Sequence, residues 1–222
     1  MASILLISTH QVRQVTKTWR DGNDRDGLRA DAITVNLLKN GKSTDEFIEL
    51  NTENNWSNSF TNLDMYEAGE LLEYSLEEVS LDNDYEANIS GSQAKNFRLT
   101  NIRQPELIDI EVNKVWDDAD DQDGVRPDTI TIYLLKDGKK LDSKEVSAED
   151  NWSTSFTNLF KYEAGEEINY SIEEKELADD YSTEITVNED ASFTVTNSRE
   201  TDKISVNGSV IWHDHYMIMA SL

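Results

Sequence analysis

The sequence contains no cysteine, which excludes disulfide bonds and every cysteine-based metal site. Positive charge is also scarce, because 20 lysines and arginines face 45 acidic residues and the net charge is −25. No basic patch offsets the phosphates of a nucleic acid or of an anionic membrane, so we expect neither as a partner. So much charge of one sign also repels further copies of the chain, and we expect a monomer.

Long apolar runs and histidines are scarce as well. No run of about 18 apolar residues occurs, so the sequence contains no candidate for a membrane-spanning helix. The apolar segment at residues 4–7 has no basic leader and is too short for a signal peptide, so we expect an internal piece of a longer protein. The three histidines, His10, His213 and His215, lie in terminal segments. This placement excludes Ser/His/Asp catalysis in the body of the chain.

What the sequence does contain is a repeat with a period of roughly a hundred residues, long enough for each copy to have its own core. The segments that recur are VTKTW as VNKVW, ITVNLLKNGK as ITIYLLKDGK, WSNSFTNL as WSTSFTNL, YEAGE unchanged, YSLEE as YSIEE, and FRLTN as FTVTN. We assign the first domain to residues 9–103 and the second to residues 104–200. Residues 201–222 are the start of a third repeat or a tail, in which Val210 occupies the place of the lysine in VTKTW.

Each repeat consists of short alternating segments rich in Val, Ile, Thr, Tyr and Trp, separated by Asp, Asn and Gly residues. Asn40-Gly41 and Asp137-Gly138 are typical of two-residue hairpin turns. No stretch longer than about ten residues keeps a helical period. Roughly seven strands per repeat indicate an all-β fold of two tandem two-sheet sandwiches.

Three polar positions in each repeat interrupt the apolar faces of the predicted strands. They are a lysine on the first strand, a glutamate near the middle and an asparagine on the last strand: Lys17, Glu78 and Asn101 in the first repeat, and Lys114, Glu174 and Asn197 in the second. A charged group that its own strand directs into a core is costly unless it is paired or neutral. Because the same three types recur in both repeats, we treat them as a candidate site.

The chemistry that these residue types permit is specific. Burial favours the neutral amine of a lysine, which is a nucleophile, and the protonated form of a glutamate. A protonated glutamate can polarise the asparagine amide and pass a proton to its leaving nitrogen, while the fold supplies proximity. The product is a Lys–Asn isopeptide bond formed with loss of ammonia, once per molecule and without turnover. The alternative is a buried Lys–Glu ion pair whose remaining hydrogen bonds the asparagine satisfies.

In combination, the motifs V-x-K-x-W, I-T-V-x-L, W-x-x-x-F-x-N-L, Y-x-A-G, Y-S-x-x-E and T-N resemble the Cna protein B-type domain, over residues 12–197. These domains are the B repeats of collagen-adhesin-like surface proteins of Gram-positive bacteria. The resemblance implies a reverse immunoglobulin-like (prealbumin-like) sandwich that serves as a stalk module at the bacterial cell wall. It also implies isopeptide bonds between the motif lysine and asparagine, catalysed by the motif glutamate. Carried over to this chain, the bonds are Lys17–Asn101 with Glu78, and Lys114–Asn197 with Glu174.

The sequence offers two other candidate sites, a calcium-binding loop and an aromatic ligand platform. The stretch Asp121–Gly124 matches the third, fifth and sixth positions of an EF-hand loop, but Ala119 fails the first and Ile130 the twelfth. We therefore favour a solvated turn over a calcium site, and we expect no metal or cofactor. Four of the five tryptophans recur at equivalent places, which we assign to inward strand positions and core packing instead of a ligand platform.

Two functions are compatible with these features. A spacer in a surface adhesin, with the neighbouring repeats of the same chain as its partners, agrees with loops made mostly of Asp, Glu, Asn and Ser. The alternative is a module that binds a host extracellular matrix protein of the collagen type, which requires an exposed apolar or aromatic patch. A turnover enzyme has no site to support it.

Overall fold

The computed structural model describes residues 10–79, 84–177 and 181–212. Among these residues, the first domain contains nine strands: β1 His10–Arg20, β2 Ala32–Lys39, β3 Lys42–Asn51, β4 Ser57–Asp64, β5 Tyr66–Glu67, β6 Glu70–Leu71, β7 Tyr74–Glu78, β8 Glu86–Ser92 and β9 Lys95–Ile102. The second contains β10 Leu107–Asp117, β11 Thr129–Lys136, β12 Lys139–Ser147, β13 Ser153–Phe160, β14 Tyr162–Glu163, β15 Glu166–Glu167, β16 Tyr170–Glu174, β17 Ser182–Val187 and β18 Phe193–Ser198. A short 3-10 helix, Ala148–Asp150, precedes β13. Within the described ranges, no helix has the length and apolar character needed to cross a membrane.

The first domain is a sandwich of two sheets. One sheet has four strands in the order β4-β1-β9-β8, and the other has three in the order β3-β2-β7. β5 and β6 form a separate two-stranded ribbon. β1 and β9 pair in parallel, with Lys17 opposite Leu99 and Trp19 opposite Asn101. The first and last strands of the domain therefore lie side by side in the centre of one sheet.

The second domain repeats this topology. Its sheets have the orders β13-β10-β18-β17 and β12-β11-β16, with β14-β15 as the ribbon. β10 and β18 pair in parallel, with Lys114 opposite Val195 and Trp116 opposite Asn197. The prediction of two tandem all-β sandwiches of about seven strands each is confirmed by the sheets, and the two-residue strands of the ribbons are additional.

Alternation of side chains along each strand produces the cores, because successive residues of a strand point to opposite faces of the sheet. On β2, Ile33, Val35 and Leu37 are buried, while the residues between them are partly exposed. The buried apolar residues of the first core are Val15, Ile33, Val35, Leu37, Leu50, Phe60, Leu63, Leu76, Phe97 and Leu99.

The two predicted hairpin turns are present. Asn40 and Gly41 have φ angles of 50° and 74°, and Asp137 and Gly138 have φ angles of 49° and 75°. Two successive residues with positive φ match the twist of antiparallel strands, and Asn-Gly and Asp-Gly adopt this conformation at low cost.

The residues that follow the second domain differ from both repeats. Residues 201–212 contain no strand, and Ile204, Val206 and Trp212 are each at least 85% exposed. The assignment of residues 201–222 to a third repeat or a tail stays a prediction. His213 and His215, like the apolar segment at residues 4–7, lie outside the described residues.

Candidate functional site

Lys17, Glu78 and Asn101, the first triad, meet in the interior of the first sandwich. Lys17 lies on β1 and Asn101 on the adjacent β9, two residues further along in the parallel register. Glu78 lies on β7 of the facing sheet, where it pairs with Val35. The side chains of Lys17 and Glu78 are 0% and 4% exposed, and Asn101 is 1% exposed. The predicted inward orientation of these three side chains is therefore present in the fold.

One carboxylate oxygen lies between the two nitrogen atoms of the first triad. The Nδ2 atom of Asn101 donates a hydrogen bond of 2.7 Å to Oε1 of Glu78. The Nζ atom of Lys17 lies 3.9 Å from the same Oε1. This oxygen is close enough to both nitrogen atoms to take a proton from one and give it to the other after small movements.

The first triad leaves several buried polar atoms unsatisfied. Lys17 Nζ, Glu78 Oε2 and Asn101 Oδ1 have no hydrogen-bond partner among the residues that the structure describes. Each such group costs about 1–3 kcal/mol, and more when it is charged. A simple ion pair with all its hydrogen bonds satisfied is therefore a poor description of this site.

Burial also changes the acidity of both lysines. Desolvation lowers the pKa of Lys17 to about 8, against the opposing attraction of Glu78 and Asp21. Desolvation lowers the pKa of Lys114 to about 8 in the same way, against the attraction of Glu174 and Asp118. A larger fraction of each amine is therefore neutral near physiological pH, and the neutral amine is the nucleophilic form.

The second triad consists of Lys114, Glu174 and Asn197, all buried in the interior of the second sandwich. The Nδ2 atom of Asn197 donates a hydrogen bond of 3.1 Å to Oε1 of Glu174, as in the first triad. The amine of Lys114 differs, because it donates a hydrogen bond of 2.7 Å to the backbone carbonyl of Val115. The Oε2 atom of Glu174 also differs, because it accepts a hydrogen bond of 2.9 Å from the hydroxyl of Thr183.

A tryptophan lies against each lysine. The Nζ atom of Lys17 is 4.1 Å from the centroid of the Trp19 ring, and that of Lys114 is 3.8 Å from the centroid of the Trp116 ring. The face of an aromatic ring attracts a cation, so this contact compensates part of the desolvation of the ammonium group. It forms because lysine and tryptophan lie two positions apart on one strand and therefore share a face.

A second cluster of hydrogen-bonded polar side chains lies beside each triad, and it was not predicted from the sequence. In the first domain, the Arg29 guanidinium donates hydrogen bonds of 2.7 and 3.0 Å to the two carboxylate oxygens of Asp21. The Tyr85 hydroxyl donates a further hydrogen bond of 2.8 Å to Asp21 and packs edge-on against Trp19. Burial alone would raise the pKa of Asp21, but the hydrogen bonds from Arg29, the Asp24 amide and Tyr85 lower it to about 2.

The second domain contains the same cluster in Asp118, Arg126 and Tyr181. The hydrogen bond from Arg126 holds the pKa of Asp118 well below its usual range, with further contributions from Tyr181 and the Asp121 amide. Desolvation and the hydrogen bond to Asp118 raise the pKa of Tyr181 to about 12. This cluster could have been recognised in the sequence, because an aspartate, an arginine and a tyrosine recur at equivalent places in the two repeats.

The carboxylates of Asp121 and Asp123, in the segment that resembles part of a calcium-binding loop, have hydrogen-bond partners within the protein. The Asp121 carboxylate accepts a hydrogen bond of 2.9 Å from the Arg126 amide. The Asp123 carboxylate pairs with Arg199 and accepts a hydrogen bond of 3.0 Å from the Asp202 amide. In the ranges that the structure describes, no group of three or more histidines and acidic residues is arranged to hold a metal ion. These carboxylates hold the turn in place, as the favoured interpretation of a solvated turn implies.

The assignment of four tryptophans to strand positions was wrong for two of them. Trp19 and Trp116 lie on β1 and β10, but Trp56 and Trp152 lie in turns before β4 and β13, with φ angles of 56° and 55°. Each of the two packs edge-on against the strand tryptophan of its domain at 5.2 Å. All four are partly buried, so packing accounts for them although the local backbone is a turn.

Comparisons with known proteins agree with this geometry. A family model described as the Cna protein B-type domain matches residues 13–102 and 110–198. The collagen adhesin of Staphylococcus aureus is 36% identical over 201 residues, which cover 90% of this chain and 16% of that protein. A crystal structure of two B repeat units of the collagen binding protein of Staphylococcus aureus matches with a TM-score of 0.74 and 34% identity, covering 86% of this chain and 50% of that one.

Proposed function

This chain belongs to the Cna protein B-type domain family, and from that premise we propose that its two domains are stalk modules of a cell-wall-anchored bacterial surface adhesin. Each module ties its first strand to its last strand through a Lys–Asn isopeptide bond that it forms itself. The observation that carries this proposal is that each domain buries a lysine and an asparagine whose amide donates a hydrogen bond to Oε1 of the motif glutamate. In the first domain, the lysine amine also lies 3.9 Å from that oxygen.

In the proposed reaction of the first domain, the neutral amine of Lys17 attacks the Cγ atom of Asn101. Through Oε1, Glu78 gives one proton to Nδ2 and takes one proton from Nζ as the new C–N bond forms. The bond between Cγ and Nδ2 then breaks, and ammonia leaves. The products are a secondary amide and one ammonia molecule, and Glu78 returns to its starting protonation state. Lysine and asparagine are consumed, so the reaction runs once and the domain is not a turnover enzyme.

The second domain follows the same steps with Lys114, Asn197 and Glu174. Its lysine first has to leave the carbonyl of Val115, to which it donates a hydrogen bond in the structure. Glu174 already accepts a hydrogen bond from the amide nitrogen that becomes ammonia. The positions that react are therefore the same in both domains, although the starting contacts of the amines differ.

The sheet topology gives such a bond a mechanical role. β1 and β9 are adjacent and parallel, so a pull between the two ends of the domain shears these two strands against each other. A bond from Lys17 to Asn101 carries that load directly, and residues 18–100 are bypassed. Closing a loop of this size also restricts the unfolded chain, by about 4–5 kcal/mol if the entropy of disulfide loops applies. In a surface protein without cysteine, this bond takes the place of a disulfide.

The alternative function is binding of a host matrix protein of the collagen type, which the name of the collagen adhesin of Staphylococcus aureus suggests. Phe47 on β3 is 66% exposed and Leu141 on β12 is 52% exposed. Surface plasmon resonance over immobilised collagen tests this alternative with the whole chain. A spacer gives no saturable signal, whereas a signal that is lost in Phe47→Ser or Leu141→Ser supports a binding module.

The intact mass of the denatured chain tests the main proposal. We expect a deficit of two ammonia masses in the natural sequence. Glu78→Gln and Glu174→Gln should each restore one ammonia mass, because loss of general acid–base catalysis slows such reactions by about 10²–10⁴-fold. Glu77→Gln and Glu173→Gln, on the outer face of the same strands, are the matched controls and should keep both deficits. A natural chain without any deficit contradicts the proposal.

A further inference from the structure

We propose that Thr183 is a positioning residue for bond formation in the second domain, where its hydroxyl orients the carboxyl group of Glu174. This role rests on the proposed function, because it concerns the rate at which the isopeptide bond forms. It is carried by a difference between two positions that the sheet register makes equivalent. Thr183 on β17 pairs with Asn197, and Ala87 on β8 pairs with Asn101.

The difference concerns the second oxygen of each glutamate. In the second domain, the Thr183 hydroxyl donates a hydrogen bond of 2.9 Å to Oε2 of Glu174, and Oε1 accepts from Asn197. In the first domain, the alanine has no hydroxyl, and Oε2 of Glu78 is buried without a partner among the described residues. The carboxyl group of Glu174 is therefore held at both oxygens, and that of Glu78 at one.

A donor on Oε2 determines which oxygen takes part in proton transfer. It occupies Oε2, so the transferred proton has to use Oε1, the oxygen that faces the leaving nitrogen of Asn197. The charged neighbours are Lys114 on β10, which is attracted to Glu174, and Asp118 and Arg126, which act on Lys114 from beside the triad. None of these three takes the place of the Thr183 hydroxyl on Oε2.

The natural rates of the two domains do not isolate this effect. The Lys114 amine donates a hydrogen bond to Val115, whereas the Lys17 amine has no hydrogen-bond partner within the described part of the chain. Substitutions inside each domain do isolate it. Thr183→Val keeps the shape and the branched Cβ of the side chain and removes the hydroxyl. Thr183→Ser restores a hydroxyl, and Ala87→Thr introduces one at the equivalent position of the first domain.

The experiment uses the full chain, produced as unfolded insoluble protein, dissolved in denaturant and diluted to start folding. Samples are quenched in acid over time, and peptide mapping counts the cross-linked fraction of each domain. Tryptophan fluorescence follows folding separately. We expect Thr183→Val to slow bond formation in the second domain by about tenfold, the effect expected for one lost hydrogen bond to a charged group. The first domain of the same molecules serves as the internal reference and should not change.

Two further variants separate positioning from a structural role. Thr183→Ser should recover most of the rate that Thr183→Val loses, because it restores the hydroxyl. Ala87→Thr should accelerate bond formation in the first domain, where it introduces a hydroxyl at the equivalent position. This variant decides the question if Thr183→Val does not fold.

The outcomes separate the two proposals. If both bonds form in the natural chain and neither Thr183→Val nor Ala87→Thr changes a rate, the positioning role is overturned and the proposed function stands. The role is also overturned if Thr183→Val slows folding and bond formation equally and Thr183→Ser does not recover the rate. If no bond forms in the second domain of the natural chain, both proposals fail.

Discussion

In the first domain, the amine of Lys17 and the Oε2 atom of Glu78 have no hydrogen-bond partner among the described residues, whereas the equivalent atoms of the second domain bond to Val115 and Thr183. The same three residue types occupy the same strands in both domains, and both asparagines donate to Oε1 of their glutamate. The repeat therefore keeps the three motif residues and changes the atoms that hold their side chains.

This difference teaches that two repeats can keep the lysine, glutamate and asparagine of the motif and still hold the glutamate differently, through a neighbour on an edge strand. Thr183 and Ala87 lie on β17 and β8, the edge strands next to the asparagine strand. The edge position leaves them exposed, so such a substitution costs little in packing. The two domains are thus a natural pair that differs in the partner of the lysine amine and in the donor on the second glutamate oxygen.

The largest expected effect is the loss of a bond. Lys17→Ala and Lys114→Ala should each destabilise their own domain by about 4–5 kcal/mol, because the two loops are nearly equal in length. Differential scanning calorimetry should show one displaced transition in each variant, with the other domain unchanged. Unequal losses would show that the bond contributes differently to the two domains, and an unchanged transition would contradict its presence.

A second prediction uses the lysine that remains when no bond can form. In Asn101→Ala and Asn197→Ala, a lysine with a pKa of about 8 in the folded domain has its usual value of 10.5 in the unfolded chain. The unfolded chain then binds more protons between these values, so stability should increase as the pH rises from about 8 to 10.5, by roughly 3 kcal/mol. Urea unfolding at several pH values measures this. If the proposed bonds form, Lys17 and Lys114 of the natural chain are amides, and the natural chain should lack this dependence.

A third prediction concerns the buried aspartates. The pKa of Asp21 falls to about 2, and that of Asp118 is also well below its usual range. A depressed pKa contributes stability above the unfolded value near 3.8, and that stability is lost as the pH falls towards the folded value. Asp21→Asn should remove roughly 2 kcal/mol at neutral pH and flatten the acid part of the stability curve of the first domain. Asp118→Asn should do the same in the second domain, with at least as large an effect.

The smallest expected effect comes from the tyrosines of the same clusters. Tyr85→Phe and Tyr181→Phe each remove one hydrogen bond to a buried carboxylate, of 2.8 and 2.9 Å. We expect a loss of about 1 kcal/mol in each domain, measured as a shift of the urea midpoint. Equal losses are expected because this cluster, unlike the triad, is the same in both domains. Unequal stability losses in Tyr85→Phe and Tyr181→Phe would show that the Thr183–Ala87 difference between the domains affects this cluster as well as Glu174.

The features that could be predicted from the sequence are those that depend on neighbouring residues in the chain. The Asn-Gly and Asp-Gly turns and the inward lysines follow from rules that act within a few residues. Trp56 was misassigned because its turn conformation is stabilised by packing against Trp19, a residue far away in the sequence. The cluster of Asp21, Arg29 and Tyr85 was missed for the same reason, since its members come from a strand end and two loops.

The sequence by itself determined the all-β class, the duplication and the three polar residues that interrupt each core. Period-two alternation and turn residues carry this information locally, and the repeat supplies it twice. Only the tertiary structure decided that the first and last strands of each domain are parallel neighbours and that, in the first domain, one oxygen of Glu78 lies near both nitrogen atoms. It also decided that the Thr183 hydroxyl donates a hydrogen bond to Oε2 of Glu174. Ala87 has no hydroxyl to donate at the equivalent position, and Oε2 of Glu78 has no partner among the described residues. These contacts join residues far apart in the chain, and their geometry depends on how the two sheets pack.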